Sequence, residues 1–381
     1  VSGGAEQVSL VLLLVFLAYL TSILLAYFRR PRNEPGRSED FDWHFLVPCR
    51  DEGMVIGETL TRLRSDFPAA HVWVVDDASD DTTPDLVAQW AARDNRVHLV
   101  RRFQPNARMG KGAALNSAYH ALSDFLPADI DRAAVVVGVV DADGHLDPRA
   151  LSYIASQTVM GDDVVGAAQV AVHMRNRDDP NPVPDKGRIA NAYSRFLVRM
   201  QDIEFRTTIA AMQSLRERTR SVGLGGNGQF TRLSVLDDIA RTFGEPWHGS
   251  LLEDYELGVH VMLAGHKNRY VDETYVSQEA VTSLPRLIVQ RTRWAQGNMQ
   301  CIKYLPQVFK SPHFSSAGVV ETGYYLVLPL TQLIGMIMWP IIAFFLIRDS
   351  VRFADEPGSW LAGSWAMLIV FSVICVLPFA M

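Results

Sequence analysis

The sequence predicts an α/β protein built on a doubly wound, mostly parallel sheet, flanked by apolar helices. Three observations predict it. From Trp43 to Asp143, short runs of β-formers alternate with segments of helical spacing. Carboxylates and glycines cluster where the predicted strands end. Three long uncharged runs lie at the two ends of the chain. The chain has 381 residues, 48% of them hydrophobic, and a net charge of -6. That is enough for one large domain or two ordinary ones. The acidic balance argues against a nucleic-acid partner, which usually selects a basic excess. Cys49, Cys301 and Cys375 lie far apart with no C-x-x-C, so neither a disulfide framework nor a zinc site is expected.

In chain order, the run from Val8 to Phe28 carries no charge and is about long enough to cross a bilayer. Arg29, Arg30, Arg32 and Arg37 follow it, and by the positive-inside bias this helix runs inward. A signal peptide would carry its positive charge first. Residues 1–30 are therefore expected to be an N-terminal transmembrane helix and 31–43 a polar, proline-containing linker. Residues 44–300 have ordinary soluble composition and are expected in the cytoplasm. There "WHFLVP", "HVWVVDD", "RVHLVRR" and "AAVVVGVVDAD" read as strands. The segments between them, "GMVIGETLTRLRSDF", "TTPDLVAQWAAR" and "GKGAALNSAYHALSDF", read as helices. This βαβαβαβ order implies parallel strands with helices on both faces. Residues 301–318, including "IKYLPQVFKSPHF", read as an interfacial helix. Residues 319–381 read as two more spans, Tyr324 to Ile347 and Trp360 to Ala380, making a multi-pass cell-membrane protein. Val1 is not a methionine and the chain stops inside or just after the third run, so a trimmed form lacking a further span is expected.

Ligands of such sheets sit outside the carboxyl ends of the strands. Asp76 and Asp77 follow the second strand, where Asp77 would otherwise serve as a helix N-cap. Gly110-Lys111-Gly112 opens a helix, a position suited to anions. G-x-x-x-x-G-K-[ST] is absent, as is G-x-G-x-x-G after the first strand, so neither a P-loop nor a nicotinamide site is indicated. The fourth strand ends on Asp141-Ala142-Asp143. Aspartate is depleted in strands, and adjacent carboxylates repel without a cation between them. A divalent metal fits, since hard ions take carboxylate and phosphate oxygens together. A metal bridging Asp143 and a diphosphate would stabilise it as a leaving group. Further on, Glu253 and Asp254 head an amphipathic helix, where the macrodipole alone would favour them. Gln290, Arg291, Arg293 and Trp294 then fall within two helical turns, more than a membrane-surface helix requires.

The order V-D-D, D-x-D, E-D, Q-R-x-R-W resembles the membrane-embedded family 2 glycosyltransferases, the group of cellulose, chitin and hyaluronan synthases. The resemblance covers residues 44–300 and the flanking helices, and it implies a GT-A-like fold and an inverting, metal-dependent hexosyltransferase. It implies that Asp77 and Asp76 bind the nucleotide, that Lys111 lies near its phosphates, and that Asp141 and Asp143 form the D-x-D with Asp143 nearest Mg²⁺ or Mn²⁺. Asp254 becomes the general base, Arg293 binds the diphosphate, and Gln290 and Trp294 stand at the acceptor. "GLGGNGQF", with Gly226 and Asn227, occupies the place of the acceptor-side loop, though its wording departs from the cellulose synthase pattern. UDP-glucose or UDP-N-acetylglucosamine is the expected donor. A growing polysaccharide, made processively and exported, is the expected product, with one sugar added to a lipid as the alternative. Membrane lipids are expected partners, and a homo-oligomer or a missing span is expected to complete any pore. A sugar-binding protein on a dead transferase scaffold is disfavoured, because every acidic group is present.

Overall fold

The structure is a computed structural model, and it describes residues 2–352. The predicted span at Trp360 to Ala380 lies outside the described residues. The elements run α1 (Ser2–Phe28), β1 (Asp42–Cys49), α2 (Ile56–Asp66), β2 (His71–Asp76), α3 (Thr83–Ala91), β3 (Val97–Arg101), α4 (Lys111–Phe125) and β4 (Val135–Val139). They continue with β5 (His145–Leu146), α5 (Ala150–Ile154), β6 (Val165–Met174), α6 (Gly187–Ile203), α7 (Ala210–Thr219), β7 (Gln229–Arg232) and α8 (Leu233–Phe243). Then come α9 (Glu253–Leu263), β8 (Lys267–Gln278), α10 (Leu284–Cys301), α11 (Leu305–Lys310) and α12 (Ser316–Arg352).

The eight strands described form one sheet in the order β3-β2-β1-β4-β7-β6-β8-β5. β1 to β4 are mutually parallel, as their near-continuous apolar runs require of strands covered on both faces. Trp43, Phe45 and Val47 enter the core on one face with Ile56, Leu60 and Leu63 of α2. Leu46, Val75 and Val137 enter the opposite core with Leu115 and Leu122 of α4. The second half departs from the mostly parallel expectation. β7 runs antiparallel between β4 and β6, while β6 and β8 pair in parallel. The sheet is therefore mixed. The reversal has a consequence: Val139, at the end of β4, pairs with Gln229, at the start of β7. The glycine-rich loop before β7 is thereby held against the end of β4.

The expected multi-pass membrane protein is corrected. The run from Val8 to Phe28 falls in α1 and that from Tyr324 to Ile347 in α12, yet among the described residues no helix is long and apolar enough to cross a membrane. Packing on the α/β body accounts for part of this apolar surface. Ile23 and Ala26 of α1 are buried, and the early part of α12 buries Glu321, Thr322 and Leu326. The cytoplasmic placement rested on the orientation of the first span and is withdrawn with it. The segment read as an interfacial helix also packs inward, with Tyr304, Val308 and Phe314 in one cluster with Tyr255, Val259 and Leu326.

Candidate active site

β4 places the D-x-D at the carboxyl edge of the parallel strands. Asp141 receives a hydrogen bond on Oδ1 from Lys111 Nζ at 2.6 Å, and its backbone N–H donates to Asn227 Oδ1 at 3.2 Å. Lys111 is the first residue of α4, entered through Gly110 at φ 108°, a left-handed value that favours glycine. Burial opposes the charge on Lys111, but Asp141 and Glu253 outweigh it and hold the ammonium above its ordinary pKa. Asn227 is buried and engaged: its Nδ2 donates to Gln278 Oε1 at 3.0 Å, and Gln169 Nε2 donates to its carbonyl at 2.8 Å. Its side chain braces the D-x-D.

Across the cavity, α9 begins with Glu253 and Asp254. Asp254 Oδ1 accepts from the backbone N–H of Tyr255 at 2.6 Å. Burial, then the neighbouring Glu253 carboxylate, pushes Asp254 up to about 7. Glu253 is also raised, chiefly by burial, with its Oε1 3.9 Å from Lys111 Nζ. Gly226 makes this approach feasible. It sits at φ 77°, and a Cβ there would lie 2.7 Å from Asp254 Oδ2 and 3.5 Å from Lys111 Nζ.

α10 forms the third wall. Gln290, Arg293 and Trp294 line the cavity. Arg291 points away and forms a two-pronged pair with Glu204, both contacts at 2.6 Å, while its guanidinium lies 4.6 Å from the Trp294 ring centroid. Phe205 meets Trp294 in an edge-to-face arrangement, ring centroids 6.4 Å apart. The cavity has a volume of about 750 Å³ and also takes in Lys111, Asp141, Gly226, Asn227 and Asp254.

Asp76, Asp77 and Asp143 do not line that cavity. Asp76 and Asp77 lie at the same sheet edge, after β2. Asp77 accepts from Arg102 Nη1 at 2.5 Å and from the N–H of Arg108 at 3.0 Å, so its Oδ1 holds the neighbouring loop. Asp76 Oδ1 accepts from the N–H of Ser79, while its Oδ2 is buried without a hydrogen-bond partner. That oxygen faces Arg101 Nε at 3.6 Å, so Asp76 and Asp77 are each paired with an arginine. Asp143 Oδ2 accepts a single long bond, from the N–H of Glu279 at 3.3 Å.

The donor set suits a divalent cation completed by a ligand. Burial, then Asp141, raises Asp143. Glu52, at the end of β1, is raised by burial and then by Asp143 and Asp141. These carboxylates crowd one another, with Lys111 on Asp141 and Arg175 Nη1 donating to the carbonyl of Asp143 at 3.2 Å. Among the described residues no three or more His, Cys, Asp or Glu side chains form a closed metal cage. Two carboxylates with open positions are what a hard ion sharing diphosphate oxygens takes.

The sequence reading missed several lining residues. Phe243, Trp247 and His248 wall the cavity beside α9. "EPWHGSLLEDY" placed Trp247 and His248 just before the acidic pair, a signal that went unread. Glu52 was equally visible in "VPCRDEG", one of the four strand ends.

Comparison with known proteins gives this geometry a class. Residues 42–297 match the model of the "Glycosyltransferase like family 2", and the chain belongs to that family. A beta-monoglucosyldiacylglycerol synthase from Synechocystis sp. is 30% identical over 264 residues, 67% of this chain and 47% of that protein. The chain thus spans about half the length of that relative. A polyprenol monophosphomannose synthase from Mycolicibacterium smegmatis is 29% identical over 154 residues, 40% of this chain and 54% of that protein. Among solved structures, the mannosyltransferase PcManGT from Pyrobaculum calidifontis, in complex with GDP-Man and Mn²⁺, superposes with a TM-score of 0.57 at 16% identity. The match covers 97% of this chain and 99% of that one and establishes the GT-A-like mixed-sheet fold.

Proposed function

We propose that the protein transfers one hexose from a nucleoside diphosphate sugar to the hydroxyl of a lipid, with inversion at the anomeric carbon. One observation carries the transfer chemistry. Asp254, a carboxylate raised to about 7, shares a cavity with the Lys111–Asp141 pair and Arg293. A base with a pKa near the working pH is effective in taking a proton from an attacking hydroxyl. In this reading the acceptor oxygen bonds to the anomeric carbon, its proton passes to Asp254, and the bond from that carbon to the diphosphate breaks. The departing electron pair stays on the diphosphate, where Arg293 and Lys111 face the developing charge. Asp141 and Asp143 would hold Mg²⁺ or Mn²⁺, which would supply charge neutralisation at the leaving group. The Asp76–Asp77 strand end would take the nucleoside, UDP being the expected form, carrying glucose or N-acetylglucosamine. Trp294, in contact with Arg291 and Phe205 and lining the cavity, would offer its ring to the acceptor side.

The lipid acceptor draws its support from relatives. Those named beta-monoglucosyldiacylglycerol synthase and polyprenol monophosphomannose synthase are named for lipid products. The processive polysaccharide reading keeps one specific observation, the Q-x-x-R-W pattern at the cavity wall. Incubating the purified protein with each of a set of nucleotide sugars and diacylglycerol vesicles separates the two. Label partitioning into organic solvent as one glycolipid species supports the proposal. Label retained as a water-soluble or insoluble polymer replaces it with the second reading.

A further inference from the structure

The first turn of α9 is held from behind by a chain of rings that ends on a buried arginine. Tyr255 follows Asp254 but does not line the cavity; it is buried in the cluster with Val259, Tyr304 and Leu326. Its ring centroid lies 4.6 Å from that of Tyr325 on α12. The guanidinium of Arg216, on α7, lies 4.6 Å from the Tyr325 centroid in turn. Arg216 therefore reaches, through two rings, the residue whose N–H donates to Asp254 Oδ1.

α7 also holds the opposite side of Asp254. Gln213, one turn before Arg216, grips Gly223: its Nε2 donates to the glycine carbonyl at 2.7 Å and its Oε1 accepts from the glycine N–H at 3.3 Å. Gly223 lies against Tyr255, where a Cβ would sit 3.2 Å from Cδ2. Three residues on, Gly226 faces Asp254 Oδ2. Tyr325 is tied to α10 as well. Asn298 Nδ2, one turn after Trp294, donates to its carbonyl at 2.8 Å.

Stability alone does not account for Arg216. Its ion pair with buried Glu321 is long, Nε to Oε2 3.7 Å, and its Nη2 is buried with no hydrogen-bond partner among the described residues. A buried pair of that geometry repays little of the cost of desolvating two charges, and apolar residues of similar volume often serve as well. What the guanidinium supplies, and an apolar chain does not, is a flat cation held against an aromatic face.

We propose that Arg216 is a positioning residue for Asp254: it holds Tyr325 against Tyr255 and so fixes the first turn of α9, setting the carboxylate beside Gly226. The inference rests on the reading of Asp254 as the base.

The test uses the full chain carrying Arg216→Met with Glu321→Gln, which removes both charges and keeps the bulk. Arg216→Met alone would strand Glu321 and risks unfolding. A cooperative melting transition shows that the double variant folds. Its kcat should fall about ten- to a hundredfold, the scale of loss from a small displacement of a reacting group, with UDP affinity by calorimetry within a few-fold. The pH midpoint of kcat, expected at about 7 in the wild type, should move down, because a loosened first turn admits water and relieves the burial that raises Asp254. Glu253, Lys111, Asp141 and Tyr325 are the titratable groups facing Asp254, and all are retained. Arg216→Lys keeps the charge but loses the flat face, and should show the same two changes in smaller measure. A folded double variant with wild-type kcat and midpoint overturns the proposal, as does a loss of UDP affinity equal to the loss of kcat. If the double variant does not fold, Arg216→Lys decides, and wild-type behaviour there overturns the proposal. Infrared titration of the protonated-carboxyl band that Asp254→Asn removes separates this inference from the base assignment. If that band moves in the variant while the wild-type kcat does not follow it, Arg216 positions Asp254 and the base assignment falls.

Discussion

At the scale of single residues the proposed chemistry rests on Asp254, and its environment makes the role testable. Asp254→Asn keeps the shape and removes the proton acceptor. A positioned base contributes about 10²–10⁴-fold, so turnover should fall by that range while UDP affinity, measured by calorimetry, stays within a few-fold. An equal loss of affinity would make Asp254 a donor-binding group. The wild-type kcat should rise with pH through about 7, because the ionised carboxylate is the working form. The stability sign is opposite. A carboxyl raised in the folded state favours folding in its protonated form, so stability is lost as pH rises from the ordinary aspartate range towards 7. Asp254→Asn should therefore be more stable than the wild type at pH 8, on the order of 1–2 kcal/mol, and gain little near pH 4. Gly226 is the other decisive residue. Gly226→Ala would force a left-handed φ on alanine and set its Cβ 2.7 Å from Asp254 Oδ2. Transfer should be abolished, with a loss of thermal stability that calorimetry detects.

α10 explains why Gln290, Arg293 and Trp294 need Arg291 between them. Arg291 fastens the helix to Glu204 and lies against Trp294. The pair is about one-third exposed, so Arg291→Ala should cost only about 1 kcal/mol of stability. The same change should lower transfer more than it lowers donor hydrolysis, because it loosens the Trp294 ring. Trp294→Ala should impair transfer to the acceptor more strongly, leaving UDP binding little changed. Unaltered transfer by a stable Trp294→Ala protein would remove that ring from the acceptor site. The elements also show what sequence pattern reveals. β1 to β4 and α2 to α4 were legible because buried parallel strands read as continuous apolar runs and the helices between them carry a clear period. The reversal at β7 was not, since "GQFTR" gives no sign of which neighbour it pairs with. The apolar runs in α1 and α12 suggested spans because composition alone does not say how much of a run packs on protein: Ile23, Ala26 and Leu326 are buried, while Leu14, Val15, Leu333 and Ile334 are exposed.

The whole molecule is one mixed sheet whose carboxyl edge gathers groups from distant parts of the chain. Lys111, Asp141, Gly226, Asp254 and Arg293 meet at one cavity although 182 residues separate the first from the last in the numbering. Strand ends pointed to Asp76, Asp77, Lys111, Asp141 and Asp143, while the roles expected of Asp254, Gln290, Arg293 and Trp294 came from the family resemblance. The pairing of Asp76 with Arg101 and the engagement of Asp77 and Asn227 were not legible, because they depend on which loops close over which side chains. In the proposed mechanism the crowding of Asp141, Asp143 and Glu52 would make a cation requirement a property of the whole edge. EDTA should abolish transfer, excess Mn²⁺ or Mg²⁺ should restore it, and Asp143→Asn should weaken cation-dependent nucleotide binding in calorimetry. Full activity in EDTA would remove the metal from the mechanism.

The central claim, one hexose moved to a lipid from this cavity, is tested most directly by mass spectrometry of the product. Purified wild-type protein and Asp254→Asn would each be incubated with diacylglycerol vesicles and the nucleotide sugar that supports turnover. The account predicts a single lipid species heavier by one hexose unit with the wild type, and none above background with Asp254→Asn. A ladder of saccharides of increasing length, or the same glycolipid formed at the same rate by Asp254→Asn, would contradict it.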